Sequence, residues 1–307
     1  MKNRASSFLL LLLLVMPFSG CSKDNNAPVA GPVSATPTPS GPLDTTPPPS
    51  TVKLIFLHHS VGQNWLATGN GNLGSQLNAN HYFVSDTNYG WNDPPVTPAH
   101  FLAFNPDKTV GSHTDTGDWP FWFTNDVMPA VYAESSNTCY SNTITDPGGA
   151  NEIILFKSCY PNSVVGDSMA DEQILYNSLL PYFAAHTDKM FVLCVPPPQV
   201  TISYPSVTRQ LANWLVDRTS GWLSSYSGNN VFVFDLYNVL TDPKNHHRVN
   251  GGVIEHVVTT SPTNPSHPDE LYYDTGGDSH PSAAGGQKAT AELVPLLNAW
   301  YHQWKGL

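Results

Sequence analysis

Residues 52–57 read Val-Lys-Leu-Ile-Phe-Leu, and His58-His59-Ser60-Val61-Gly62 follows at once. A short, continuous apolar run of this kind has the pattern of a strand buried on both faces. The pattern returns downstream in Tyr82 to Ser85, Glu152 to Phe156 (EIILF), Met190 to Val195 (MFVLCV) and Val231 to Phe234 (VFVF). Between these runs lie stretches with helical character: Leu73 to Ala79, Phe121 to Ala133, Asp171 to Ala185 and Val207 to Tyr226. A closing helix, Ser282 to Trp304, is opened by Pro281-Ser282. Ile174, Leu175, Leu179, Tyr182 and Phe183 read as one apolar face; Leu211, Trp214, Leu215, Trp222 and Leu223 read as another. Doubly buried strands alternating with helices predict a mainly parallel sheet covered on both sides, a three-layer α/β/α sandwich. Such sheets bind ligands beyond the carboxyl ends of their strands. Chemistry is therefore expected just after Leu57, Ser85, Phe156, Val195 and Phe234.

Working outward, the chain has 307 residues, 40% of them hydrophobic, enough for one sizeable core. The formal net charge is −11, and no basic stripe exists to meet a phosphate backbone, so nucleic-acid binding is excluded as a function class. Charged residues are only 12%; polarity comes from Asn, Ser, Thr, Tyr and His, a composition common in exported proteins. Lys2 and Arg4 precede an apolar run from Phe8 to Phe18, too short and too terminal for a membrane span. Phe18-Ser19-Gly20-Cys21 resembles a bacterial lipobox, although Leu rather than Phe is usual at its first position. The expectation is a signal peptide at 1–20, a lipidated Cys21 and a tether over 21–51. Eight prolines between residues 28 and 49 leave that segment unable to pack a core. Residues 52–307 form one domain, expected to act as a monomer in the bacterial cell envelope. It meets a membrane only through Cys21, and Ser22 after the cysteine fits the outer membrane or cell surface.

Cys139, Cys159 and Cys194 match no zinc spacing. Export permits a disulfide. Either Cys139 and Cys159, both in loop-like sequence, are bridged while Cys194 stays buried in its strand, or all three are unpaired.

The candidate chemistry sits at the strand ends. Ser60 lies at the carboxyl end of the first strand with Gly62 two residues on, a place for a nucleophile or for a helix N-cap. Asp278-Ser279-His280 places a carboxylate two residues before an imidazole, on a glycine-bearing loop that opens a helix. A serine nucleophile needs a base to take its proton and an acid to orient that base. Asp274 competes with Asp278 for the second task. Gly90, with an unshielded amide, and Asn162, with a side-chain amide, follow the second and third strands and suit oxyanion donation; each is also an ordinary turn residue. His246, His247, His256 and His267 lie in a long insert, 241–277, without metal-ligand spacing, and are read as loop packing or a substrate rim. His58 and His59 are read as holding the nucleophile turn. Trp91, Trp119, Phe121 and Trp122 are either a sugar-stacking rim or core.

The order Ser60, Gly90, Asn162, Asp278, His280 resembles the SGNH/GDSL hydrolase superfamily over roughly residues 52–305. The late block, with His280-Pro281 and Gly285, is the most specific part of the likeness. The first block is His-His-Ser rather than Gly-Asp-Ser, the third lacks Gly-x-Asn-Asp, and the last is D-x-H, as in the alginate O-acetyltransferase-like branch. The resemblance implies an SGNH/flavodoxin-like sandwich and a carboxylic ester hydrolase (EC class 3.1.1) in which Ser60 attacks, His280 is the base and Asp278 orients it. The amides of Ser60 and Gly90 and the side chain of Asn162 would form the oxyanion hole, with no metal and no cofactor. Export and loop aromatics point to an acylated, especially acetylated, carbohydrate as substrate. The alternatives are an O-acyltransferase on a glycan and a non-catalytic carbohydrate-binding surface lipoprotein.

Overall fold

Every apolar run named above becomes a strand of one parallel sheet. The computed structural model describes residues 41–87, 116–135, 140, 142–158, 168–200, 205–259, 271–273 and 275–307. The strands are β1 (Val52–Leu57), β2 (Tyr82–Thr87), β3 (Ile153–Phe156), β4 (Met190–Cys194) and β5 (Val231–Phe234), in the order β2-β1-β3-β4-β5. All four pairings are parallel, with Leu57 opposite both Thr87 and Phe156, and Cys194 opposite Phe234. The helices are α1 (Ser60–Leu66), α2 (Leu73–Ala79), α3 (Trp119–Trp122), α4 (Met128–Ala133), α5 (Met169–Ala185), α6 (Pro205–Val216), α7 (Leu236–Thr241) and α8 (Ala283–Lys305).

Side chains alternate across a strand, and the core divides accordingly. Leu54, Phe56, Val192 and Phe234 point to the side covered by α1, α2, α7 and α8. Ile55, Leu57, Phe191 and Val233 point to the side covered by α3, α4, α5 and α6. The result is the three-layer α/β/α sandwich expected from the sequence.

Several elements depart from expectation. The stretch 121–133 holds the end of α3 and a separate short helix, α4, with Pro129 in its first turn. The helix begun near Val207 stops at Val216. There the Asp217 carboxylate accepts from the N–H groups of Thr219 and Ser220, and the chain doubles back so that Trp222 N–H donates to the Trp214 carbonyl. On α5 the buried face is Glu172, Tyr176, Leu179 and Phe183, whereas Ile174 is 69% exposed. The 241–277 insert contains an antiparallel hairpin, β6 (His246–Asn250) and β7 (Val253–Val257), closed by Gly251-Gly252 with φ of 60° and 83°. Two consecutive positive φ values suit a tight two-residue hairpin turn.

Residues 42–50, read as the end of the tether, are packed on the domain as a strap. Leu43 N–H donates to the Gly252 carbonyl, and Asn298 Nδ2 donates to the Thr45 carbonyl. His302 Nε2 lies 3.0 Å from the Thr46 carbonyl, and His81 Nδ1 lies 2.7 Å from that of Pro48, which is buried. Cys194 is a buried free thiol, whose ionisation burial pushes far up. Cys139 and Cys159 lie outside the described residues.

Candidate active site

Buried polar groups collect where the strands end. His58, the first residue past β1, and Asp86, near the end of β2, are both fully buried. The His58 Nε2 is 3.1 Å from Asp86 Oδ2, and its Nδ1 is 2.7 Å from the His59 carbonyl. A carbonyl can only accept, so Nδ1 donates to it, and Nε2 faces the Asp86 carboxylate. This pair braces the turn below Ser60, as expected of His58, but its partner Asp86 was not foreseen. His59 keeps an extended backbone (φ −111°, ψ −163°), and its carbonyl accepts from Gly62 and Gln63 N–H, which starts α1 at Ser60. A side chain on Gly62 would meet His58 Cβ at 2.3 Å, so the turn admits only glycine there. Lys157 and Ser158 past β3, and Asp235 past β5, extend the row of buried polar groups.

The acid and base expected near the C-terminus are together. His280 Nδ1 is 2.5 Å from Asp278 Oδ1, and the same oxygen accepts the His280 backbone N–H at 3.2 Å. The hydrogen bonds from His280, side chain first, hold the Asp278 carboxyl below the usual carboxylate range. With Nδ1 turned to the carboxylate, Nε2 is the nitrogen left for chemistry. Gly276 and Gly277 take φ of 94° and 113°, the left-handed backbone that lets so short a loop turn back. The loop is tied down at both ends. Ser279 Oγ accepts from Val200 N–H beyond β4, and Ser282 N–H donates to the Tyr273 carbonyl. Ser282 then caps α8 by accepting from Gly285 N–H.

Helix α8 fixes which end of the sheet this loop occupies. Its far end reaches the amino ends of the strands, where Tyr82 OH donates to Asn298 Oδ1 and Lys305 pairs with Glu152. Its early turns pack on α1 and the turn beyond it: Trp65 Nε1 donates to Thr290 Oγ1, and a side chain on Gly286 would meet Gly71 Cα at 2.8 Å. Ser60, half-buried at the start of α1, and the Asp278–His280 pair therefore share the carboxyl end of the sheet. Gly90, Asn162 and Asp274 lie outside the described residues, as do Trp91 and His267.

The remaining candidates resolve differently. Trp119 and Trp122 are core, with Trp119 edge-on to Phe156 and Tyr176, so neither forms a sugar rim. Phe121 is partly buried against the same core. His246 Nδ1 meets Glu292 at 2.8 Å, and His247 is buried and stacked on Phe234. Burial, then the nearby His256 charge, pushes the His247 imidazole down to about 3. His256 Nε2 is 2.6 Å from the buried Asp235 carboxylate. Burial opposes charge on His256, yet the hydrogen bond and charge of Asp235 raise its ionisation overall. These histidines thus pack the hairpin onto the domain. No group of three or more His, Cys, Asp or Glu among the described residues is arranged to hold a metal ion.

Glu172, in the first turns of α5, was not singled out by sequence. Both its carboxylate oxygens are buried without a hydrogen bond, and burial, then the charge of Asp171, raises its ionisation to about 7. A carboxyl raised in the folded state keeps a proton that the unfolded chain gives up. Stability is therefore lost as pH rises from about 4.5 toward about 7, by roughly 3 kcal/mol in all at 1.36 kcal/mol per unit. Glu172→Gln should remove this decline and raise the urea midpoint at pH 8 but not at pH 4. Parallel pH profiles for the two proteins would exclude it.

Compared with known proteins, the chain matches no family model and no curated protein.

Proposed function

We propose that the protein is a serine esterase of the SGNH type that removes acetyl or other small acyl groups from a carbohydrate. The observation that carries this reading is the Asp278–His280 pair, ordered on the loop before α8 at the same end of the sheet as Ser60. In this reading Ser60 Oγ attacks the ester carbonyl as His280 Nε2 takes its proton. The tetrahedral oxyanion is held by the Ser60 N–H, the Gly90 amide and the Asn162 side chain. The C–O bond to the sugar then breaks, and His280 returns the proton to the leaving hydroxyl. Water, deprotonated by His280, cleaves the acyl-serine and releases the carboxylic acid. Asp278 holds the ring in the required tautomer and steadies its positive charge. His58 and Asp86 act as positioning residues beneath the nucleophile turn. Export and anchoring through a lipidated Cys21 belong to the same proposal.

A fluorophosphonate probe tests it directly, since only an activated serine reacts. One label per chain, on Ser60 and absent from Ser60→Ala, is the expected result. No labelling, together with no turnover of p-nitrophenyl acetate or acetylated xylan, would favour a binding protein instead.

A further inference from the structure

Strand β5 is one of the two outer strands of the sheet, and among the described residues the β6–β7 hairpin does not pair with it. Between them lies a cavity of about 310 Å³, walled by Phe232, Ile254 and Trp300 and edged by Arg218, His256 and Gln303. It runs along the side of the sheet toward the C-terminal end of α8, away from Ser60. Its volume is in the range of small-ligand sites.

Among the described residues, the one permanent cation at its edge is Arg218. Arg218 has one long contact, 3.5 Å from Nη1 to the Val231 carbonyl, and its outer side is exposed. Asp217, beside Arg218 in the chain, accepts from Thr219 and Ser220, and Asp235 accepts from His256 and Asn238. His256 commits Nε2 to Asp235, which leaves Nδ1 as its other polar nitrogen. Asn230 and Phe234 give their carbonyls to β4, so Val231, Val233 and Asp235 turn both N–H and carbonyl outward. Asp235 N–H is taken by His247 Nδ1, while Val233, which lines the cavity, has no such partner from the hairpin. A guanidinium and an imidazole around apolar walls call for an anionic, planar acceptor on an apolar body. Guanidinium and carboxylate match in geometry.

We propose that this edge cavity is a binding site for a ring-sized carboxylate, with the carboxylate toward Arg218 and His256 and the ring against Phe232, Ile254 and Trp300. The site is separate from the ester chemistry and does not depend on it.

Calorimetric titration of the full chain with benzoate, benzamide and acetate tests both halves of the recognition. Benzoate should bind one to one and at least 10-fold more tightly than benzamide, which lacks the charge, or acetate, which lacks the ring. Arg218→Met should weaken benzoate at least 10-fold while leaving p-nitrophenyl acetate hydrolysis unchanged. Ile254→Trp, at a position already 42% exposed, should fill the cavity and abolish binding with the fold intact by circular dichroism. Ser60→Ala should bind benzoate as the parent does, so failure of the esterase reading leaves this result standing. Benzamide binding as tightly as benzoate, no benzoate binding at all, or benzoate affinity unmoved by Arg218→Met would each overturn the proposal.

Discussion

Ser60→Ala should lower kcat/KM for p-nitrophenyl acetate by about 10³-fold or more, while urea midpoint and circular dichroism stay within error of the parent. Loss of a triad nucleophile removes the covalent route altogether and leaves only what binding and oxyanion donors supply. Ser60 is the first residue of α1, and the turn is held from beneath by His58 and by the His59 carbonyl. A folded Ser60→Ala protein with parental activity would remove the nucleophile from the proposal and the ester chemistry with it.

Asp278→Asn should lower kcat by roughly 10²- to 10³-fold with little change in KM, because an amide opposite Nδ1 favours the wrong imidazole tautomer. The effect should be smaller than for a buried triad aspartate, since the Asp278 side chain is 63% exposed and water can partly replace it. Asp274→Asn should be nearly silent. A large loss from Asp274→Asn with a silent Asp278→Asn would transfer the role. Silence from both would mean that His280 acts without a carboxylate. Measuring kcat and KM separately matters here, because a residue that only shaped the loop would move both.

What could be read from the chain follows the range of the interaction concerned. VKLIFL and VFVF declare themselves because a doubly buried strand has no polar face to confuse the pattern. The Asp278–His280 pair is local, two residues apart, so adjacency in sequence already implies reach. The His58–Asp86 pair is not: its members are separated by a helix–turn–helix passage and meet only because β1 and β2 pair with Phe56 opposite Asp86. On α5, apolar residues occur around most of the helix, so spacing alone does not choose a face, and packing chose the one carrying Glu172 rather than Ile174. The hairpin was missed because HHRVN and VIEHV mix polar and apolar residues, although Asn250-Gly251-Gly252 carried a usable turn cue.

The strap over residues 42–50 has a mechanical consequence. A pull on the chain at Gly41 would load its attachments to Gly252, Asn298, His302 and His81 one after another, as in a zipper, each yielding alone at low force. Beyond them the load reaches β1, which is bonded to β2 on one side and β3 on the other, so that many bonds must slide together. Tension should therefore be relieved by extending the strap before the sheet deforms. The joint behaves as a shock absorber in series with the domain, and the carboxyl end of the sheet is left undisturbed while it gives.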